Sequence, residues 1–428
     1  MSRKLFRQTA NEWRTNFWLA LELLIVSVIV WYIADYIYAY AATRLEPTGF
    51  DTEHVYKLSY RHLSSENPRY IDYGEEIQTQ YAANLRNLVK ALRQRPGVEA
   101  VSVSKGAEAY AQNYFGGLFW NDYDTLRISA MNRYCSPEHL RVMKYKSADP
   151  SVTVQDLEEA LRRGELLITQ FDADNMERTT MGAVNIAGTT SEQIIGRSFH
   201  QSRDSATNYR IAGPLVPVKR TSIETGAPIS FFGVIDENSD QILAANTINV
   251  RVSPEADKDF INGFNADRER LYTFGNTYIS DIKSYDDVRK EADHHATVEM
   301  RKYAACMVFM LVSVFLGLLG TFWFRTQQRI GEVAIRKVSG ATNSSIFRRL
   351  INEGMILLII ATPLAVIADW ILTKYEFNQY YYGFFTPGRF IFTVVATFLL
   401  MALMIVGGIW FPASRAMKID PARALADE

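Results

Sequence analysis

The sequence predicts an α+β membrane protein: four transmembrane helices with a large mixed α/β extracytoplasmic domain inserted between helices 1 and 2. Three observations carry this expectation. Apolar residues are clustered into runs long enough to cross a hydrocarbon core of about 30 Å. The polar stretch between the first and second runs alternates helical and strand-like patterns. Basic residues gather at both ends and between the second and third runs, the pattern of segments that stay on the cytoplasmic side.

The runs justify the spans one by one. Residues 303–324 carry no charged side chain over about 22 positions, and residues 390–414 none over about 25, each enough for a span. Residues 17–42 are interrupted only by Glu22 and Asp35, and residues 354–372 carry Pro363 and Asp369. Proline is tolerated in a spanning helix where neighbours satisfy the freed carbonyl. The assignment is therefore an amphipathic N-terminal segment at 1–16, spans at 17–42, 301–324, 354–373 and 390–412, connecting segments at 325–353 and 374–389, and a tail at 413–428. Evenly spread, 48% hydrophobic residues and a mean hydropathy of -0.09 would describe a soluble chain; the clustering makes it a membrane protein. Ala39-Tyr40-Ala41 has the look of a signal cleavage site, but the apolar run before it exceeds the usual 7–15 residue signal core, so an uncleaved anchor is expected.

Sidedness follows from charge. Arg3, Lys4, Arg7 and Arg14 precede the first span; Arg325, Arg329, Arg336, Lys337, Arg348 and Arg349 separate the second from the third; Arg415, Lys418 and Arg423 follow the fourth. The 374–389 loop holds only Lys374 and Arg389 amid Tyr375, Tyr380, Tyr381, Tyr382, Phe384 and Phe385. Both termini and the 325–353 segment are expected in the cytoplasm, with the aromatic loop outside.

Residues 43–300 then form one outer domain. A helix is expected within 70–96, with Ala83, Leu85, Leu88, Val89 and Leu92 near helical spacing and Pro96-Gly97 as the stop. "VEAVSVS" at 98–104 alternates like a strand. A short helix at 154–163 is closed by Gly164, and "ELLITQF", "NYRIAGPLVPV" and "NTINVRVS" read as further strands. Residues 285–302 are charged but contain no helix breaker, so they should continue the second span outward as a stalk.

Several chemistries find no support. The net charge of -1 supplies no basic field for nucleic acid. No GxxxxGK[ST], HExxH, GxSxG or kinase motif set occurs, so no catalytic residue and no cofactor is assigned. His294-His295 with Glu291 and Glu299 has incomplete ligand spacing; a solvated helix face is the preferred reading and no metal is assigned. Asp51, Glu53, Glu75 and Glu76 read as surface carboxylates. Cys135 and Cys306, the second inside a span, are not expected to form a disulfide. Glu22 can snorkel toward the basic N-terminal arm. Asp35 and Asp369 fall toward the outer ends of their spans, where an interfacial position is expected.

The segment from 325 to 354, "RTQQRIGEVAIRKVSGATNSSIFRRLINEG", carries the functional signal. Arg325, Arg329, Glu332 and Arg336 fall at i, i+4, i+7 and i+11, within one narrow arc of a helix. Ala334, Val338 and Ile330 lie opposite, and Lys337 interrupts the apolar side. Glu332 precedes Arg336 by four residues, the favourable order for a helical ion pair. Gly340 ends the helix, and Thr342 or Asn343 can cap the next. An amphipathic helix between two spans can lie in the lipid interface; a carboxylate inside its basic face favours docking to another protein.

Here the sequence resembles the FtsX/MacB-type ABC transporter permeases. "EVAIRKVSGAT" at 332–342 is similar to that family's EIGIRKALGAS signature, with Val333-Ala334 in place of isoleucine–glycine and Ser339 in place of leucine. "LINEGMILL" matches the family's leucine–x–x–glutamate at the start of the third span, through Leu350 and Glu353. "FPASRAMKIDPARAL" at 411–425 is similar to the closing P-x-x-R-A-x-x-x-x-P-x-x-A-L, through Pro412, Arg415, Ala416, Pro421, Ala424 and Leu425. "LRQRPGVEAVSVS" and "IIGRSFHQSRDSATNYRIAGPL" resemble parts of the MacB-like periplasmic core. The resemblance implies a multi-pass inner-membrane permease of the mechanotransmission type. A separate cytoplasmic ABC ATPase dimer would dock on Arg325, Arg329, Glu332, Arg336, Lys337 and Gly340, and Glu353, Pro412, Arg415 and Pro421 would order the helices around that segment. It further implies a second permease copy, identical or not, in the lipid bilayer, and a periplasmic adaptor, lipoprotein or cell-wall hydrolase as the outer partner. Two rival readings remain: a membrane receptor with a ligand-sensing outer domain, which lacks a visible cytoplasmic output domain, and an anchored ectoenzyme, which lacks a clustered acid, base or metal set.

Overall fold

The computed structural model describes residues 13–111, 115–121, 126–171, 189–201, 208–224, 226–328, 330–375 and 385–417; side chains of 13–16, 325, 330, 332 and 416 are outside that description. The chain divides into two compact units, residues 44–295 and the remainder.

In the first unit the strands and helices follow in the order β1 (Val55–His62), α2 (Ile77–Arg93), β2 (Val98–Lys105), β3 (Phe115–Asn121), β4 (Arg127–Cys135), α3 (Val154–Arg162), β5 (Leu166–Thr169), β6 (Ser198–His200), β7 (Tyr209–Leu215), β8 (Ser230–Val234), β9 (Thr247–Val252), α4 (Phe260–Leu271), β10 (Thr273–Phe274) and β11 (Thr277–Ser284), after an initial α1 (Trp13–Leu45) that belongs to the other unit. The strands form one 11-stranded sheet, ordered β10-β11-β1-β9-β2-β4-β3-β6-β7-β5-β8, with β8 also pairing β4. Two substructures share it. Strands β11-β1-β9-β2 are antiparallel, and helices α2 and α4 connect them as a split β-α-β arrangement of ferredoxin-like order. The second substructure is inserted between β2 and β9: β4-β3-β6-β7-β5-β8 returns to β4 through a parallel pairing, so the pairings close on themselves. Closure removes free edges.

Sequence explains the packing. In α2 the buried residues are Ala82, Leu85, Leu88, Val89 and Leu92, one helical face, and they join Leu58, Val101, Val103, Ile248, Val250 and Phe264 in one core. In β5 the run Leu166, Leu167, Ile168 alternates between two cores, as do Phe231 and Phe232 in β8. A strand buried on both faces reads as continuous apolar sequence. Helix α3 begins with a capping box in which Thr153 and Asp156 bond reciprocally.

Buried polar groups are used as braces. Arg251 is 3% exposed and donates to the carbonyls of Val142 at 2.7 Å, Glu53 at 2.8 Å and Asp51 at 2.7 Å. Arg133, also buried, donates to Ser230 Oγ at 3.1 Å and lies over the Phe232 ring. Buried His139 bridges Ser102 Oγ, 2.8 Å from Nδ1, and the Ala107 carbonyl, 3.1 Å from Nε2. A carbonyl only accepts, so Nε2 carries the proton and Nδ1 accepts from Ser102. Burial pushes this imidazole down to about 4, and it raises the thiol of Cys135. Cys135 and Cys306 are both free, the first buried and the second exposed. Glu291, weighed above as half of a His–Glu pair, bonds Lys283 Nζ at 2.8 Å, and no metal-ligand cluster is found among the described residues.

The second unit holds α1 and most of α5 (Tyr285–Gln328), α6 (Ile330–Val338), α7 (Asn343–Lys374) and α8 (Pro387–Met417). Among the described residues, four helices are long and apolar enough to cross a membrane: α1, α5, α7 and α8. Leu23, Val30, Leu318, Phe322, Leu358, Met401, Ile405 and Ile409 form their common core. Gly354 sets the approach of α7 to α8, since a Cβ there would lie 2.5 Å from Ile409 Cδ1. Helix α8 begins at Pro387, so Arg389, expected in the outer loop, stands in its first turn. The side chains of Asp35 and Asp369, expected to escape to the interface, instead turn inward and are 5% and 3% exposed. A neighbouring helix supplies the reason for the first: Arg389 meets Asp35 in a two-pronged ion pair.

Candidate functional site: the elbow between two spans

Helix α6 is described from Ile330 to Val338, and Arg329, between it and α5, lies outside the described residues. It ends in a Schellman turn: Gly340, at φ +92°, sends its N–H to the Lys337 carbonyl at 3.0 Å, while the Ala341 N–H reaches the Arg336 carbonyl at 2.9 Å. Only glycine adopts that backbone without cost, which explains the glycine at this point of the motif. The chain restarts at once, because Thr342 caps α7 by accepting from the Ser345 N–H at 3.3 Å. Sequence therefore fixes a short, stiff elbow rather than a loop.

The elbow is tied to α8. Lys337 Nζ donates to the backbone carbonyl of Met417 in α8 at 2.6 Å. Two residues earlier, the Arg415 guanidinium lies 4.6 Å over the ring of Trp323 on α5, and Trp323 stacks on Phe411 at 5.6 Å. On α7, Glu353 is buried and faces Arg349 Nε at 3.5 Å, one turn away. Pro412 lies inside α8 and is buried. The motif residues of the last span thus hold α5, α6 and α8 together at one end.

The structure brings Arg336, Lys337, Gly340, Glu353, Pro412 and Arg415 into this region. Arg329 and Pro421 lie outside the described residues, as do the side chains of Arg325 and Glu332. Ala334 is fully buried, whereas Ile335 and Val338 are 57% and 69% exposed. The sequence places Val338 on the apolar side without showing its exposure.

The fold and this elbow define a class: a membrane protein with four spans, a folded domain between the first and second, and a helical joint between the second and third. Residues 304–421 match the family model described as FtsX-like permease C-terminal. The match lies in the part of the chain whose motifs resemble the FtsX/MacB-type permeases. Among solved structures, a domain of a candidate permease protein from Porphyromonas gingivalis is similar at 11% identity and a TM-score of 0.29, covering 54% of this chain and 90% of its own. The extracellular domain of the noncanonic ABC-type transporter YknZ from Gram-positive bacteria is similar at 12% identity and a TM-score of 0.27, covering 53% and 100%. No curated protein matches this sequence.

Proposed function

We propose that this chain is the permease subunit of an ABC transporter of the mechanotransmission type, which converts ATP hydrolysis by a separate cytoplasmic ATPase dimer into movement of its extracytoplasmic domain. The observation that carries the reading is the elbow: an exposed pair, Ile335 and Val338, beside the basic residues of α6, on a helix tied to α8 through Lys337. A docking partner would bury those apolar side chains at the centre of its contact and meet Arg336 and Glu332 at the rim. ATPase closure would then press on α6. The Lys337–Met417 bond would carry the push to α8, and the unbroken helix Tyr285–Gln328 would carry it along α5. The membrane helices would act as levers rather than as a substrate path. As in other members of the resembled family, a second permease copy would complete the assembly, with both termini in the cytoplasm of an inner-membrane protein and an adaptor, lipoprotein or hydrolase outside.

The experiment is reconstitution of the full chain with its ATPase in nanodiscs, comparing wild type with an Ile335→Ser/Val338→Ser double variant. Docking predicts loss of ATPase binding with the four helices still inserted. Unchanged binding would remove α6 from the interface.

A further inference from the structure

We infer that the membrane bundle contains a binding site for one small monovalent cation, held by Asp369 together with hydroxyl oxygens of Ser27, Thr362 and Thr397. The argument begins with charge. Asp35 and Arg389 neutralise one another, with Nε 2.7 Å from Oδ1 and Nη2 2.6 Å from Oδ2. Asp369 is left over: it is 3% exposed, and its Oδ1 is buried without a hydrogen-bond partner among the described residues. The charged groups around it are few. Asp35 on α1 acts on it as a like charge, Arg389 on α8 is committed to Asp35, and Lys374 on its own helix lies over the Trp370 ring at 5.9 Å. A buried carboxylate with no positive partner is strongly disfavoured in a low-dielectric bundle. Among the described residues none supplies the balancing positive charge, so a proton or a bound cation would have to.

The space beside Asp369 fits that charge. A cavity of about 20 Å³ is lined by Ser27 from α1, by Leu358, Thr362, Ala365, Val366 and Asp369 from α7, and by Val394, Thr397 and Phe398 from α8. That volume holds one water-sized occupant. Its polar lining is oxygen only, the chemistry that hard monovalent cations and protons share. Thr397 Oγ1 is a second buried atom without a partner, and Thr362 Oγ1 donates to the Leu358 carbonyl at 2.7 Å, leaving its lone pairs for an occupant. Two unsatisfied oxygens lining one small cavity, on two helices, are a built site rather than an isolated acid. An occupant would join α7 to α8, so its arrival and departure would bias the packing of helices that the proposed lever motion must shift.

The full chain in lipid nanodiscs tests this by thermal unfolding. One arm replaces choline by sodium at constant ionic strength and pH; the other varies pH at constant salt. The site predicts that the midpoint of wild type rises by several degrees along one arm, because a ligand of the folded state alone stabilises it by mass action. A rise with sodium identifies an alkali cation, and a rise on acidification that Asp369→Asn removes identifies a proton. Asp369→Asn should abolish the dependence and unfold no lower than unliganded wild type, since it deletes the stranded charge. Should that variant fail to fold, Thr397→Val serves instead and should raise the half-saturating concentration about tenfold. The inference is overturned if neither arm separates wild type from Asp369→Asn, or if Thr397→Val leaves half-saturation unchanged.

Discussion

Arg389 and Asp35, 354 residues apart in sequence, form a two-pronged ion pair inside the membrane bundle, with both side chains under 10% exposed. The pair is braced from the side: Trp31 Nε1 donates to Thr393 Oγ1 at 3.1 Å, and that hydroxyl lies 3.0 Å from the Arg389 carbonyl. A first span and a last span are thereby fixed to one another by charge as well as by packing.

Removing one partner leaves an uncompensated buried charge, whereas removing both does not. Arg389→Ala or Asp35→Ala alone should cost about 3–5 kcal/mol of stability. Asp35→Leu with Arg389→Met should lie close to wild type. Unfolding of the purified protein in mixed micelles measures all of these; single variants as stable as wild type would deny the pair any structural role.

His139 gives the outer domain a pH dependence of defined sign. Its folded form is neutral because burial lowers it from 6.5 to about 4. The unfolded chain therefore binds the extra proton between those values, and stability rises with pH across that window. It is fully present above about pH 6.5 and lost as pH falls toward 4, by about 3 kcal/mol. His139→Gln should flatten this part of the stability–pH profile, as followed by denaturant midpoints at a series of pH values. A profile identical to wild type would assign the acid sensitivity to other groups.

Lys337 should matter to coupling more than to folding. Its bond to the Met417 carbonyl is partly exposed, so Lys337→Met should cost about 1 kcal/mol of stability. ATPase stimulation by the permease should nevertheless drop about tenfold, the equivalent of about 1.4 kcal/mol of lost coupling. Arg in place of Lys337 keeps a donor and should recover most of it.

Glu332→Lys reverses the carboxylate that the sequence places on the basic arc of α6. Affinity for the ATPase should fall about tenfold with insertion intact, because an unfavourable juxtaposition of charge now meets the partner. Binding measured at two salt concentrations separates this from misfolding: a charge effect shrinks at high salt.

Legibility in the sequence followed the range of the forces involved. The spans, α2, α3 and the strands β2, β5, β7 and β9 were readable because periodicity and caps are local. Strands β1, β3 and β4 were not: β3 carries Gly116 and Gly117, and β4 buries Asn132 and Arg133, the second finding its acceptors in the distant carbonyls of Val218 and Lys219. The motif residues of the elbow were identifiable by resemblance, yet what they touch was not. Arg415 over Trp323 and Lys337 on Met417 are tertiary contacts with no signature along the chain. Asp35 and Asp369 looked alike in sequence; only a partner 354 residues away distinguishes the paired acid from the stranded one.

The central claim is that α6 receives an ATPase. The direct measurement is gentle-detergent purification of the full chain from its native membrane, with identification of what remains bound in the presence and absence of nucleotide. The account predicts a stoichiometric P-loop ATPase with wild type and its loss from the Ile335→Ser/Val338→Ser variant. An ATPase absent from wild type under every nucleotide condition would contradict it, and α6 would then be an anchor lying in the lipid interface.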